Sequence, residues 1–213
     1  MARRASVHPR RGLPMRSPRG LLTCALARGW RLPLIAAVLA GATALALLLR
    51  GPILLPEIFA PDTVWSPVVV LLGLPVGIAL AWTADEPLPA IAPTGVRNTS
   101  GARVARLLVG VVLWAGIVAL IDTAALLPSL VMLATVLGEA LVFRAVAGSA
   151  VAWGLPLLHV AAAALFGVSS EGVAPWAGII DTSPGPETLG FALLWLFLGV
   201  VVSGRTPSPR SRE

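Results

Sequence analysis

Residues 104–143 read VARLLVGVVLWAGIVALIDTAALLPSLVMLATVLGEALVF, two apolar runs that are separated only by Asp122 and Thr123. A helix rises about 1.5 Å per residue, so roughly 20 apolar residues cross the hydrocarbon core of a bilayer, which is about 30 Å thick. Each run is close to that length. The two runs therefore predict a pair of membrane-spanning helices that are joined by a tight turn.

The rest of the chain continues this pattern. Hydrophobic residues make up 57% of the sequence and charged residues 12%, which is far from the composition of a soluble domain. We expect an all-α, polytopic membrane protein with a basic cytoplasmic arm over residues 1–31, a six-helix transmembrane domain over 32–203 and a cytoplasmic tail over 204–213. The six predicted spans are Leu32–Leu49, Val64–Trp82, Val104–Ile121, Ala124–Phe143, Ser149–Val168 and Thr188–Ser203.

The arginines predict the orientation of these spans. When the N-terminus is placed in the cytoplasm, only Arg50 of the 16 basic residues falls in an outer segment. Because basic residues beside spans stay on the cytoplasmic side, both termini are expected to be cytoplasmic. Two tryptophans, Trp114 and Trp195, lie deep within predicted spans and are expected to pack between helices.

Lysine is absent from the chain, and its absence restricts the chemistry. A Walker A loop needs a lysine against the nucleotide phosphates, so any ATPase must be a separate chain. Schiff-base catalysis is excluded as well. All of the basic residues other than histidine are arginine, and Ala, Gly and Pro are abundant. This composition suggests a GC-rich bacterial genome. We therefore expect a multi-pass protein of the bacterial plasma membrane.

Charge and metal-ligand content predict neither a nucleic-acid partner nor a cofactor. The net charge of +6 is mostly terminal, and a basic arm beside a first span is more simply held against anionic lipid. Cys24 is single, so no intrachain disulfide can form. His8 and His159 are the only histidines, and no metal-ligand cluster is visible. We expect no catalytic residues, no metal and no cofactor.

Two polar residues within spans are candidates for a polar pathway. Glu139 lies near the cytoplasmic end of the fourth span, and an intramembrane carboxyl suggests function. Its partner could be Arg144. Alternatively, Glu139 could be a snorkelling or protonated carboxyl that anchors the helix end. His159 lies near the middle of the fifth span, where it could relay protons or bind a substrate group. It could equally donate a hydrogen bond to a carbonyl that Pro156 frees.

Two further features concern packing and docking. Gly73 and Gly77 form a GxxxG pattern in the second span, which permits close helix approach within the chain or between subunits. The loop after this span begins with Asp85, Glu86 and Pro87, and it is longer than a simple connection requires. These three residues are candidates for docking a cytoplasmic partner.

The region around this loop resembles actinobacterial six-span proteins of the ABC-2 permease type. The matching motif residues are Asp85, Glu86 and Pro87 after the second span, then Ala92, Pro93 and Thr94, and finally Ser203, Arg205 and Pro207 near the C-terminus. The resemblance implies a permease-like membrane subunit that works with a separate cytoplasmic ATPase. Such a small permease would pair with a second copy of itself or with another membrane subunit. The alternative is a non-catalytic membrane scaffold or immunity-type protein.

A second, local resemblance involves the fourth and fifth spans. Glu139 and Arg144 match the Glu-Glu-x-x-x-Arg motif of CAAX-type intramembrane proteases, in which a glutamate activates water. Ala140 replaces the second glutamate, and His159 is preceded by Leu155 where the family has phenylalanine. Hydrolysis needs a base and an oriented water together, so the resemblance implies a degenerate protease site.

Overall fold

Apolar helices dominate the structure, a computed structural model that describes residues 32–49, 52–54, 65–84, 99–169 and 172–205. The predicted arm over 1–31 lies outside these residues, as does nearly all of the predicted tail. Within the described ranges, the α-helices in chain order are α1 Leu32–Leu48, α2 Val68–Leu71, α3 Gly73–Thr83, α4 Thr99–Ile121, α5 Leu126–Ala147, α6 Gly154–Phe166 and α7 Pro186–Arg205.

Three of these helices contain segments long and apolar enough to cross a membrane: Arg103–Ile121 in α4, Leu126–Ala147 in α5 and Pro186–Ser203 in α7. Shorter apolar helical segments cover Pro33–Leu48, Val68–Thr83 and Gly154–Phe166. An apolar helix thus lies at each of the six predicted positions, and three of them have full spanning length. The protein has the helical, apolar character of a membrane protein.

Prolines explain where the helices depart from the predicted bounds. The second predicted span is divided between α2 and α3 at Leu72, because Pro75 has no N–H to donate to the Leu71 carbonyl. The fifth predicted span begins as a 3₁₀ turn, Ser149–Val151, and becomes α-helical only from Gly154. Pro156 then lies in the first turn of α6, where a proline costs no helical hydrogen bond.

Two short antiparallel strand pairs accompany the predominantly helical fold. Strands β1 (Pro52–Leu54) and β2 (Trp65–Pro67) pair so that Pro52 faces Pro67. Strands β3 (Val168–Ser169) and β4 (Gly172–Val173) form a second pair directly after α6. Hydropathy alone does not reveal such pairs, because the strands are only two or three residues long.

A buried 3₁₀ helix follows the second strand pair and was not predicted. This segment, Pro175–Ile180, packs against α5, α6 and α7, and its last four residues are buried. We call it the outer segment, after the side of the membrane on which the sequence predicts it. Its close fit depends on Gly178, where a Cβ would collide with the side chain of Thr188 at the start of α7. The outer segment therefore closes one end of the space between these three helices.

Helix α5 forms the centre of the fold. The buried share of its apolar segment is 67%, compared with 28% for the apolar segment of α4 and 22% for that of α7. Its buried side chains include Met132, Val136 and Leu137, and its neighbours include α3, α4, α6 and α7. The exposed faces of α4 and α7 carry large apolar residues such as Val112, which is 68% exposed. An apolar outer surface of this kind suits contact with lipid.

Residue contacts show that helices α3 to α7 alternate in direction. Gly73 faces Met132 and Gly77 faces Val136, so α3 and α5 are parallel. Gly110 faces Leu80, and Arg106, one turn earlier on α4, donates to Thr83 later on α3, so α4 is antiparallel to α3. The C-terminal ends of α3, α5 and α7 therefore meet the N-terminal ends of α4 and α6 at one end of the bundle, the arginine end, where Arg103, Arg106 and Arg144 lie.

Glycines bring the helix backbones close together at two crossings. At Gly73 and Gly77, a Cβ would lie 2.9 Å from Met132 Cγ and 2.7 Å from Val136 Cγ1, so the predicted GxxxG pattern packs α3 onto α5 within the chain. At Gly138, a Cβ would collide with the main chain of Trp195 on α7. A Cβ on Gly199 would lie 2.7 Å from the Gly138 carbonyl oxygen. The α5–α7 contact is thus one of backbone against backbone.

This crossing predicts that Gly138→Ala destabilises the protein by about 1–3 kcal/mol, because the added methyl group must push the α7 backbone away. The measurement is the unfolding midpoint of the purified protein in detergent. Gly116→Ala in α4 is the matched control, since a Cβ there meets nothing within 4 Å. It should leave stability unchanged or raise it, because alanine favours helix over glycine. Equal loss in both variants would contradict the backbone contact.

Candidate functional site

The two polar residues predicted within spans contact each other. Glu139 Oε1 forms a hydrogen bond with Nδ1 of His159, which joins the middle of α5 to the middle of α6. Helices α5 and α6 run antiparallel across a short connection that turns at Gly148, whose φ of +93° suits glycine. This turn brings together two residues that lie 20 positions apart in the sequence. The pair is nearly enclosed: the glutamate side chain is 2% exposed and the histidine side chain 11%.

The second nitrogen of His159 contacts the outer segment. Its Nε2 lies 2.7 Å from the main-chain carbonyl oxygen of Trp176. A carbonyl oxygen only accepts hydrogen bonds, so Nε2 is the donor and carries a hydrogen in this arrangement. The shared hydrogen bond to Glu139 then requires one more proton, held by either Nδ1 or the carboxyl group. In both cases the pair has no net charge.

Aromatic rings surround the imidazole. The Trp176 ring stacks on His159 with centroids 6.2 Å apart, and the edge of Phe191 meets it at 6.0 Å. Phe191 in turn contacts Trp195 at 6.3 Å, and both rings belong to α7, so an aromatic chain runs along this helix. These rings fix the orientation of the imidazole and limit contact with water.

The other carboxyl oxygen of Glu139, Oε2, is buried and has no hydrogen-bond partner within the part of the chain that the structure describes. A carboxylate with an unsatisfied oxygen in an apolar interior is costly, and a neutral carboxyl costs much less. The site can therefore hold a proton, pass it to or from the imidazole, or accept a cationic or hydrogen-bond-donating group at Oε2.

Arg144 does not fill the place suggested for it beside Glu139. Its Nη1 donates to the carbonyl of Ala81 at the end of α3. This contact belongs to a group in which three arginines each donate to a main-chain carbonyl at the arginine end: Arg103 to Ser203 (2.8 Å), Arg106 to Thr83 (3.2 Å) and Arg144 to Ala81 (3.1 Å). Helix C-termini leave such carbonyls without intrahelical partners, and a guanidinium satisfies them well. These contacts join α3, α4, α5 and α7.

The predicted docking residues Asp85, Glu86 and Pro87 lie outside the described residues. The chain leaves the described part at Ala84, immediately after α3, and re-enters it at Thr99, the start of α4. Both of these points lie at the arginine end. The loop that carries the docking candidates is therefore attached to the end of the bundle where the three arginine–carbonyl contacts join four helices.

Sequence reasoning missed the contribution of the outer segment to this site. The Trp176 contact is made through a main-chain carbonyl, which has no side-chain signature in any sequence. Phe191 also carries no signal, because an aromatic residue in an apolar helix is common. Among the described residues, no group of three or more His, Cys, Asp or Glu side chains could hold a metal ion.

Comparisons with protein-family models, with curated proteins and with solved structures found no match for this chain. Its chemistry therefore has to be inferred from its own residues. The site offers a proton-sharing carboxyl–imidazole pair in an apolar bundle, and the arginine end offers a braced attachment point for a loop.

The hydrogen bond predicts energetic coupling between Glu139 and His159. In a double-mutant cycle of Glu139→Gln, His159→Asn and the combination, we expect a coupling energy of about 0.5–3 kcal/mol. Unfolding in detergent titrated with a denaturing surfactant provides the free energies. The control cycle combines His159→Asn with Asp122→Asn, which lies at the α4–α5 turn, in place of Glu139→Gln. In this control the free-energy changes of the two single variants should add up to that of the double variant. Equal additivity in the Glu139–His159 cycle would refute the contact.

Proposed function

We propose that this protein is a multi-pass subunit of the bacterial plasma membrane with six spans and both termini in the cytoplasm. The alternating directions of α3 to α7 and the apolar helices at all six predicted positions support this topology. The clustering of Arg103, Arg106 and Arg144 at one end supports a cytoplasmic location for that end.

The shorter helices are compatible with this topology. Helix α6 has 13 residues and is about 20 Å long, which is less than the hydrocarbon thickness of about 30 Å. The 3₁₀ turn before it and the outer segment after it extend the protein along the same path. Non-helical backbone is tolerated at membrane depth where protein surrounds it, as it does around the buried residues of the outer segment.

The topology predicts which positions are accessible from outside an intact cell. In a Cys24→Ser background, Ser183→Cys before α7 should react with a membrane-impermeant maleimide, whereas Ser208→Cys in the tail should react only after lysis. Both positions are serine, so the two variants are matched in chemistry. Labelling of Ser208→Cys in intact cells would contradict the six-span topology.

Within that topology, the function we favour is a permease-like subunit of an ABC-type transporter that is driven by a separate ATPase. The observation that carries this proposal is the arginine end, where three arginine–carbonyl contacts join four helices. Helix α3 ends there and α4 begins there, and the chain between them holds Asp85, Glu86 and Pro87. A partner that pulls on this loop would move the ends of several helices together. Glu139 and His159 are then polar residues on the transport pathway, and a second copy or another membrane subunit would complete the channel.

A transporter subunit of this kind should co-purify with an ATPase. We expect a C-terminally tagged protein, extracted in mild detergent from its source cells, to retain a stoichiometric soluble protein with a Walker A motif. Charge reversal at Asp85 and Glu86 should abolish the association, because the loop acids would contact the partner. The matched control reverses Glu57 and Asp62, which are predicted to face outward. Absence of an ATPase in several detergents would refute the proposal.

The contact between Glu139 and His159 also favours a second candidate, a membrane hydrolase in which the carboxyl orients water. This candidate requires Glu139→Gln alone to abolish function, because the carboxyl would be the group that activates the water. A non-catalytic scaffold or immunity-type protein needs neither side chain. Its phenotype should therefore survive Glu139→Gln combined with His159→Ala.

A further inference from the structure

We propose that the Glu139–His159 pair is a proton-binding site that exchanges one proton with the aqueous phase at the end of the bundle closed by the outer segment. The resting pair consists of a neutral carboxyl group and a neutral imidazole. This inference does not depend on a partner ATPase, because it concerns only groups within this chain.

The hydrogen bonds define the exchange step. At rest, the Glu139 carboxyl donates to Nδ1 of His159, and Nε2–H donates to the Trp176 carbonyl. Release begins when the carboxyl proton moves to Nδ1, which forms an imidazolium and a carboxylate. Nε2 then gives its proton to a water molecule that has replaced the Trp176 carbonyl. The products are a hydronium ion, a neutral imidazole with hydrogen on Nδ1, and the Glu139 carboxylate; loading is the reverse.

The packing directs this exchange through His159. The imidazole is 11% exposed and the carboxyl side chain only 2%, so the histidine is the more accessible partner. Level with the pair, the backbone crossing of Gly138 with Trp195 and Gly199 closes the α5–α7 side and leaves no room even for a Cβ. Beside His159, the cover is the outer segment, and its Trp176 is 39% exposed. Separation of the Trp176 carbonyl from Nε2 would thus open the site.

Other charged groups in the described helices lie away from the pair along the bundle. Arg144 follows Glu139 on α5 but donates to Ala81, and the remaining arginines on α4 are at the same arginine end. At the other end, Asp122 and Asp181 accept main-chain hydrogen bonds within their own turns, and Glu187 lies in the first turn of α7. The titratable contact of Glu139 in this part of the chain is therefore His159.

Infrared difference spectroscopy of the full chain in lipid nanodiscs tests the proposal. The wild type should show a protonated-carboxyl C=O band that disappears reversibly as the pH is raised from mildly acidic to mildly alkaline values. Glu139→Gln should lose this band, whereas Asp122→Asn should keep it. The band should also shift in D₂O, because the carboxyl proton exchanges with solvent.

The histidine variant separates exchange from binding. In His159→Asn, the Glu139 band should remain, but its shift in D₂O should be at least about tenfold slower, because proton transfer by a positioned imidazole is lost. If Glu139→Gln does not fold, the wild type and His159→Asn still decide the question. A wild-type spectrum without a pH-sensitive protonated-carboxyl band overturns the proposal, and so does an unchanged exchange rate in His159→Asn. Neither outcome bears on co-purification of an ATPase.

Discussion

The contact of α5 with α7 at Gly138 is the constraint on which the rest of the site depends. Because this glycine has no side chain, the two backbones meet directly, and α7 is held against the most buried helix of the fold. This position of α7 sets Phe191 against the imidazole of His159, and Trp195 against Phe191. It also places Thr188, in the first turn of α7, against Gly178 of the outer segment. The absence of a side chain at Gly138 thus determines where both the aromatic rings of α7 and the outer segment lie around the site.

The polar groups of the bundle follow a single rule, that each group in apolar surroundings needs a partner inside the protein. Helix-end carbonyls are satisfied by arginines from neighbouring helices, and the buried indole of Trp114 donates to Ser129 Oγ at 2.9 Å. Glu139 follows the rule with only one of its two oxygens. The second oxygen, Oε2, gives the site unused capacity for binding.

The sequence allowed the helices to be predicted better than the site. Long apolar runs place α4, α5 and α7 correctly, because hydropathy reports burial in an apolar medium directly. It does not report helix breaks, so the interruption at Leu72 and the late start of α6 at Gly154 were missed. The partner of Glu139 could not be predicted, since the choice between Arg144 and His159 depends on how α6 folds back. The role of Trp176 was beyond sequence reasoning, because its contribution is a main-chain oxygen.

The arginine end also has a consequence for how the protein is made. The carbonyls at the end of α3 are satisfied by arginines on α4 and α5, which leave the ribosome later. Arg103 in α4 in turn donates to Ser203, close to the end of the chain. The end of α3 is therefore completed only by segments that are synthesised after it. During synthesis, these contacts wait for α4 and α5 to emerge, and the contact of Arg103 with Ser203 waits for α7.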